Sequence, residues 1–230
     1  MSRQLTTGVL GRKKGIDYGP LLFGYYKLDG DANDSSGKDN NGTLTGGEWV
    51  TETLPGIGST TVLKIDTDGH YIELPSLQAA DSKNFTYECW FKTEQTGANK
   101  WIIAEGSSTS NTPIVGLINE NDRMRVYVRD DAGNSTGTIS PSTYILNDGS
   151  WHHIALSFSD NDVVKGYFDG KEVIDASSTS IGTITTNKTT ICALERSTVG
   201  LYAHGLISDV RIWNVARTET EINKTKDIRL

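Results

Sequence analysis

Hydrophobic and polar residues alternate over short stretches of this chain, which is the pattern of β-strands with one buried face. The clearest stretch is Arg123–Arg129, where Met124, Val126 and Val128 share one side while three arginines and a tyrosine share the other. Gly, Asn, Asp, Ser or Pro separates such stretches. The pattern predicts antiparallel sheets that have one dry face and one wet face.

Stretches rich in β-branched and aromatic residues extend this prediction along the chain. The predicted strands are Leu21–Leu28, Thr61–Ile65, His70–Leu74, Asn84–Thr93, Lys100–Glu105, Ile114–Asn119, Arg123–Arg129, Trp151–Ser159, Val163–Asp169, Lys171–Asp175, Thr189–Glu195 and Gly205–Trp213. So many short strands in one chain favour a two-sheet sandwich. Asp169-Gly170 separates two of them and is a dipeptide typical of a tight hairpin turn.

One helix is predicted, near the C-terminus. Thr218 and Glu221 have the spacing of a capping box, in which the Thr hydroxyl accepts a hydrogen bond from the Glu amide and the Glu carboxylate reaches back. We therefore expect an all-β, two-sheet antiparallel sandwich that ends in a short helix.

Six segments occur in an order and spacing similar to those of a known family. They are Tyr26–Gly30, Asp34–Gly42, Phe85–Lys92, Asp148–Ala155, Tyr167–Lys171 and Gly205–Trp213. Together they resemble the LamG-like jelly-roll family, a branch of the concanavalin A-like lectin and glucanase superfamily, from about residue 22 to residue 225. The resemblance implies a jelly-roll sandwich over residues 21–230. It does not specify a function, because this fold serves glycan-binding modules, hydrolase accessories, adhesins and virion proteins.

The first twenty residues lie outside the resemblance and differ in charge from the rest. They carry a net charge of +3, in a chain of 230 residues with a net charge of −7. Repeated glycines interrupt any helical or strand period there, which predicts an extended docking arm, with a disordered tail as the alternative. The predicted apolar anchors are Leu5, Val9, Leu10 and Ile16, and the basic residues facing an acidic partner are Arg12, Lys13 and Lys14.

Composition excludes several classes of protein. A pI near 5.1 argues against a general nucleic-acid binder, and no apolar run approaches the roughly 18 to 20 residues of a membrane-spanning helix. The N-terminal residues lack the apolar stretch of roughly 7 to 15 residues that a secretory signal needs, so we expect synthesis in the cytoplasm. Cys89 and Cys192 stand in apolar stretches and are predicted to be buried free thiols.

The loop after the first predicted strand is a candidate calcium site. Its oxygen-bearing side chains are Asp29, Asp31, Asn33, Asp34, Asp39, Asn40 and Asn41, and hard oxygen ligands on a flexible loop suit Ca²⁺. The alternative is a solvated loop that caps its own backbone. By the family resemblance, Asp209 joins Asp34, Asp39 and Asn41 around one structural Ca²⁺. Calcium would then raise the melting temperature above that measured in EGTA.

The sequence offers little sign of catalysis. The glucanases of the superfamily place Glu-x-Asp-x-Glu on one strand, and this chain lacks that motif, so a hydrolase or lyase is the least favoured class. His152 and His153 are adjacent and would point to opposite faces of a strand. We expect one ring to be packed in the sandwich and the other to be hydrogen-bonded at the surface.

Aromatic residues in loops are candidate platforms for glycan rings. Trp49, Trp101, Tyr144 and Tyr202 lie at or near predicted loops, whereas Trp90, Trp151 and Trp213 are expected in the core. The glycan-binding residues themselves stay unassigned.

Two functional hypotheses follow. The first is a phage virion surface protein, such as a capsid decoration, fibre or tail component, made in the host cytoplasm and attached within an oligomeric assembly through its arm. Its sandwich could then hold host-surface glycans. The second is a free, extracellular carbohydrate-binding lectin or adhesin module. Both are non-enzymatic.

Overall fold

The computed structural model describes residues 21–177 and 180–230. The predicted arm, residues 1–20, lies outside these described residues. The strands are β1 Leu22–Tyr26, β2 Thr43–Thr45, β3 Glu48–Leu54, β4 Gly58–Ile65, β5 Tyr71–Leu74, β6 Phe85–Lys92, β7 Lys100–Gly106, β8 Ile114–Glu120, β9 Arg123–Arg129, β10 Ser135–Ile139, β11 Trp151–Ser159, β12 Val163–Phe168, β13 Lys171–Ser177, β14 Lys188–Ile191, β15 Leu194–Glu195, β16 Val199–Gly200 and β17 Gly205–Trp213. A 3-10 turn covers Ala80–Ser82, and helix α1 covers Glu219–Thr225.

The strands form two large antiparallel sheets. Sheet 1 has the order β13-β12-β11-β6-β17-β4-β3, with β1 also paired to β17, and sheet 2 has the order β10-β9-β8-β7-β14-β5-β2. Strands β15 and β16 form a separate two-stranded hairpin. The predicted all-β sandwich with one short C-terminal helix is thus confirmed for the described part of the chain.

The core lies between the inward faces of the two sheets. Strand β6 contributes Phe85, Tyr87, Cys89 and Phe91, all fully buried, and each of the two phenylalanines stabilises the fold by roughly 1.5 to 3 kcal/mol through removal of apolar surface from water. Cys89 and Cys192 are free and buried, as predicted. Burial raises the pKa of Cys192 to about 12, so its thiol stays protonated.

Local sequence signals place several elements correctly. Strand β9 has the predicted bounds, and Met124, Val126 and Val128 are fully buried in it. Asp169 and Gly170 have φ angles of 52° and 79°, as a primed hairpin turn requires. At α1 both hydrogen bonds of the predicted capping box between Thr218 and Glu221 are present.

Helix α1 and the C-terminal residues cover the middle of the outer face of sheet 1. Ile222 of α1 packs on Ala155 and Tyr167, and the Lys226 carbonyl accepts a hydrogen bond from Trp90 Nε1. The middle of this face is therefore covered by the protein itself. None of the described helices is long and apolar enough to cross a membrane.

Candidate functional site

A cleft on the outer face of sheet 2 has the geometry of a binding site. It measures about 360 Å³ and lies between strands β7, β8 and β9 and the β15–β16 hairpin. We call it the arginine cleft. Its lining residues are Asn99, Trp101, Ile114, Ile118, Glu120, Arg125, Tyr127, Arg129, Leu194, Arg196 and Leu201.

Two glycines shape the floor of the arginine cleft. Gly116 and Gly137 lie directly across from Tyr127 on the neighbouring strands β8 and β10. A Cβ atom at Gly137 would stand 2.4 Å from Cδ2 of Tyr127, so only glycine leaves room for this ring beside the sheet. The ring packs edge to face against Trp101, with 6.2 Å between centroids.

Two guanidinium groups flank the Tyr127 ring. The Cζ atoms of Arg125 and Arg129 lie 4.8 and 5.4 Å from the ring centroid, within the range of a cation–π interaction. Arg129 Nε also donates a hydrogen bond of 2.9 Å to the Tyr127 hydroxyl. The alternation of β9 puts both arginines on the outer face, and Tyr127 holds them in place.

The positive charges of the cleft are only partly neutralised. Arg125 pairs with Glu120 at 3.3 Å. Arg129 donates to the backbone carbonyl of Asn111 at 3.2 Å, and Arg196 donates to the Asn111 side-chain oxygen at 3.0 Å. Within residues 21–177 and 180–230 neither Arg129 nor Arg196 has a carboxylate partner. These two arginines are positioned by neutral groups, and no carboxylate of the described residues lies close enough to pair with them.

Apolar side chains form the other walls of the cleft. Leu194 and Leu201 of the hairpin segment pack with Ile114, Ile118 and Trp101 into a small cluster separate from the main core. Oriented donors beside an apolar wall suit a ligand that has both hydroxyl or acid groups and C–H faces.

A larger cleft of about 530 Å³ lies on the outer face of sheet 1. Four of its charged groups are paired with one another: Lys92 with Glu52 at 3.2 Å, and Lys64 with Asp66 at 3.0 Å. Trp151 Nε1 donates to the same Glu52 carboxylate at 3.4 Å. Because both lysines of this cleft are already paired with carboxylates, its larger size alone does not make it the better candidate.

The acidic loop after β1 uses its side chains to hold its own backbone. Asp34 accepts hydrogen bonds from the backbone amides of Tyr25, Ser36 and Asn40, and Asn41 accepts one from the Asp34 amide. Asp39 is exposed. These contacts match the backbone-capping alternative at Asp34 and Asn41.

Asp209 lies on β17, buried, with Oδ2 2.6 Å from Arg211 Nη2. Among the described residues no three His, Cys, Asp or Glu side chains are grouped so that they could hold a metal ion. Calcium binding through Asp34, Asp39, Asn41 and Asp209 stays a prediction that the EGTA comparison tests.

The structure separates the aromatic candidates. Trp101 lies near a loop as expected, at the start of β7, but it is buried because the β15–β16 segment packs on it. Trp49 and Tyr144 are partly buried against the core. Trp90 and Trp213 are buried as expected, whereas Trp151 is half-exposed at the start of β11.

The two adjacent histidines differ in the predicted way. His153 is buried on the outer face of sheet 1, and burial lowers its pKa to about 4. His152 bonds to Asp169 and Asp148 at 2.9 and 3.2 Å. Burial lowers the pKa of His152, but these carboxylates outweigh it and raise the pKa above its ordinary value.

One catalytic spacing does occur in the chain. Gly133-Asn134-Ser135-Thr136-Gly137 has the Gly-x-Ser-x-Gly pattern of a strained nucleophile turn between a strand and a helix. Here Ser135 instead begins the edge strand β10 and is exposed. The spacing therefore lacks the context that would activate a serine.

Comparisons with known proteins agree with this architecture. A laminin-G-type family model, described as concanavalin A-like lectin/glucanases superfamily, matches residues 66–223. A comparison with curated protein sequences gave no significant match.

Several solved structures share the fold. Domain 4 of AbnA, a GH43 extracellular arabinanase from Geobacillus stearothermophilus in complex with arabinotriose, aligns with a TM-score of 0.67 and 20% identity, over 89% of this chain and 97% of that one. The binding domain of Paraclostridial Mosquitocidal Protein 1 aligns at 0.69 and 13% identity, over 89% and 51% of the two chains. The receptor binding domain of botulinum neurotoxin C/D mosaic serotype aligns at 0.68 and 15% identity, over 88% and 50%. The present chain thus spans about half of each toxin domain.

Proposed function

Because the chain belongs to the concanavalin A-like lectin/glucanases superfamily, we propose that it is a non-enzymatic carbohydrate-binding protein whose site is the arginine cleft. The observation that carries this proposal is the pairing of positioned guanidinium donors with an apolar wall in one open hollow. Sugars present hydroxyl groups and C–H faces together, and such a surface satisfies both.

A structural neighbour adds support. Domain 4 of AbnA, of which the alignment covers 97%, was solved in complex with arabinotriose. That domain is part of an arabinanase and is of similar extent to this chain. This complex supports a sugar-binding role for the present sandwich. The identity of the sugar bound by this chain depends on the chain's own residues.

The test is to close the arginine cleft and leave the rest of the surface intact. A Gly137→Val variant adds atoms where the Tyr127 ring lies, so Tyr127 and the arginines beside it must shift. We expect the affinity for a glycan that the full chain retains on an array to weaken about tenfold or more, which corresponds to at least about 1.4 kcal/mol of binding free energy. Glu52→Gln in the larger cleft of sheet 1 is the matched control and should leave the affinity unchanged.

Three results would contradict the proposal. Absence of any retained glycan for the full chain across the array would remove the binding function, and loss of binding in Glu52→Gln but not in Gly137→Val would place the site on sheet 1. Release of reducing ends from a bound polysaccharide would show catalysis, against the non-enzymatic assignment.

We further propose that residues 1–20 attach this sandwich to a phage particle as a surface component. The supporting observation is the charge contrast between that segment, at +3, and the whole chain, at −7. Deleting residues 1–20 is expected to abolish incorporation into particles while glycan affinity and melting temperature are kept. Unchanged incorporation of the truncated chain would leave a free lectin or adhesin as the role.

A further inference from the structure

The arginine cleft contains more positive charge than its own carboxylate neutralises. It holds Arg125, Arg129 and Arg196 but only Glu120 among acidic lining residues. We propose that Arg129 and Arg196 bind the carboxylate of an acidic sugar, a uronic or a sialic acid, at this site. This inference rests on the proposed glycan-binding function and names its ligand class.

The two arginines are directed toward a shared position by one residue. Asn111 accepts from Arg129 through its backbone oxygen and from Arg196 through its side-chain oxygen. Arg129 is further fixed by the Tyr127 hydroxyl. In the described part of the chain, the Nη2 groups of both arginines have no hydrogen-bond partner. Guanidinium groups that are held in place with donors to spare match the planar geometry of a carboxylate.

The overall charge distribution favours a ligand with isolated acid groups. Residues 21–230 carry −10, because the total of −7 includes +3 from residues 1–20. A densely charged polyanion would meet this negative field over most of the surface. A single carboxylate in the arginine cleft would instead meet two nearby positive charges, since Arg125 is already paired with Glu120.

The apolar wall argues for a sugar acid over an inorganic anion. The hollow that holds the arginines is also lined by Leu194, Leu201 and Ile114. These apolar side chains cannot form hydrogen bonds with sulfate or phosphate. A volume of about 360 Å³ is near the lower end of small-molecule sites, which range from about 300 to 1,000 Å³. This suits a terminal acidic sugar and part of its neighbour.

Calorimetric titration of the full chain with matched probe pairs tests the inference. The uronate pair is trigalacturonate and its methyl ester, and the sialate pair is 3′-sialyllactose and lactose. We expect one free acid to bind about 10- to 100-fold more tightly than its neutral counterpart, the range for a charged hydrogen-bonding pair. Which pair responds distinguishes the two sources of carboxylate.

Variants of the two arginines test whether the preference for the acid arises in the arginine cleft. Arg129→Gln and Arg196→Gln should each remove most of the preference for the acid, while the affinity for the neutral probe falls much less. Arg123→Gln is the matched control, because Arg123 lies on the same strand outside the cleft and pairs with Asp122 at 3.4 Å. Thermal melts confirm that each variant folds, and Arg196, outside the sheets, is the substitution least able to disturb the fold.

The outcomes separate the two proposals. Equal affinity for acid and ester, or tighter binding of a sulfated heparin disaccharide, overturns the carboxylate inference while glycan binding stands. An equal loss in Arg123→Gln also overturns it. No binding of any acidic or neutral glycan on the array removes the proposed function, and this inference with it.

Discussion

Replacing Glu88 with alanine is expected to lower the free energy of unfolding by about 3 to 5 kcal/mol, the usual effect of removing one partner of a buried ion pair. Glu88 is fully buried, and its Oε1 lies 2.6 Å from Arg217 Nη1 and 2.9 Å from Trp213 Nε1. Burial would raise the pKa of Glu88, but Arg217 and Arg211 outweigh it and hold the pKa below its usual value. The variant leaves these arginines buried with too little negative charge.

Urea denaturation measures this loss, and two further variants control for it. Glu52→Ala removes a half-exposed carboxylate paired with Lys92 on the same sheet and should cost at most about 1 kcal/mol. A double replacement of Glu88 and Arg217 by methionine should recover part of the stability, because it removes both charges. A loss in Glu88→Ala no larger than that in Glu52→Ala would mean that the buried network contributes little.

Acidification from pH 7 to pH 4 is expected to destabilise the protein by about 3 kcal/mol through His153 alone. Burial lowers the pKa of His153 from its ordinary 6.5 to about 4. The folded state therefore keeps His153 neutral where the unfolded chain takes up a proton. Stability from this group is fully present above pH 6.5 and is lost as the pH falls toward 4. The slope in between is about 1.4 kcal/mol per pH unit.

The surroundings of His153 explain why its pKa is lowered. Its Nε2 lies 3.7 Å from Glu88 Oε2, which favours protonation, while Arg211 and Lys226 oppose it and burial dominates. A His153→Gln variant should show a flatter pH dependence of unfolding free energy between pH 6.5 and pH 4.5. The adjacent His152, whose pKa is raised, contributes with the opposite sign: its stabilisation is present below pH 6.5 and is lost as the pH rises through its folded pKa. Identical slopes in wild type and His153→Gln would contradict the prediction.

Strands with one apolar face were predictable, and the polar edge strands β3 and β10 were not. Strand β9 alternates because its neighbours β8 and β10 complete a sheet that is buried on one side. The prediction missed β3 and β10, which lie at sheet edges and have mostly half-exposed or exposed residues. Their polar sequences carry little periodicity, since pairing with a neighbour and not burial holds them in place.

The candidate site was visible only in part. The sequence placed Arg125, Tyr127 and Arg129 on the wet face of one strand, but no local signal connects them with Arg196 or Asn111. Those two residues come from separate loops that the fold brings to the same cleft. Glu88 is likewise isolated in the sequence, and its burial among arginines depends on α1 and the C-terminal residues lying over sheet 1.

The sequence by itself determined the all-β class, the hairpin at Asp169-Gly170 and the capped helix, because alternation, turn residues and caps act between near neighbours. Tertiary structure alone decided which charges are neutralised. Arg125 pairs with Glu120, and Arg211 and Arg217 pair with Glu88. Arg129 and Arg196 instead donate hydrogen bonds to the neutral Asn111. Ion pairing depends on distance in space, and strand pairing and loop packing set those distances between residues far apart in the chain.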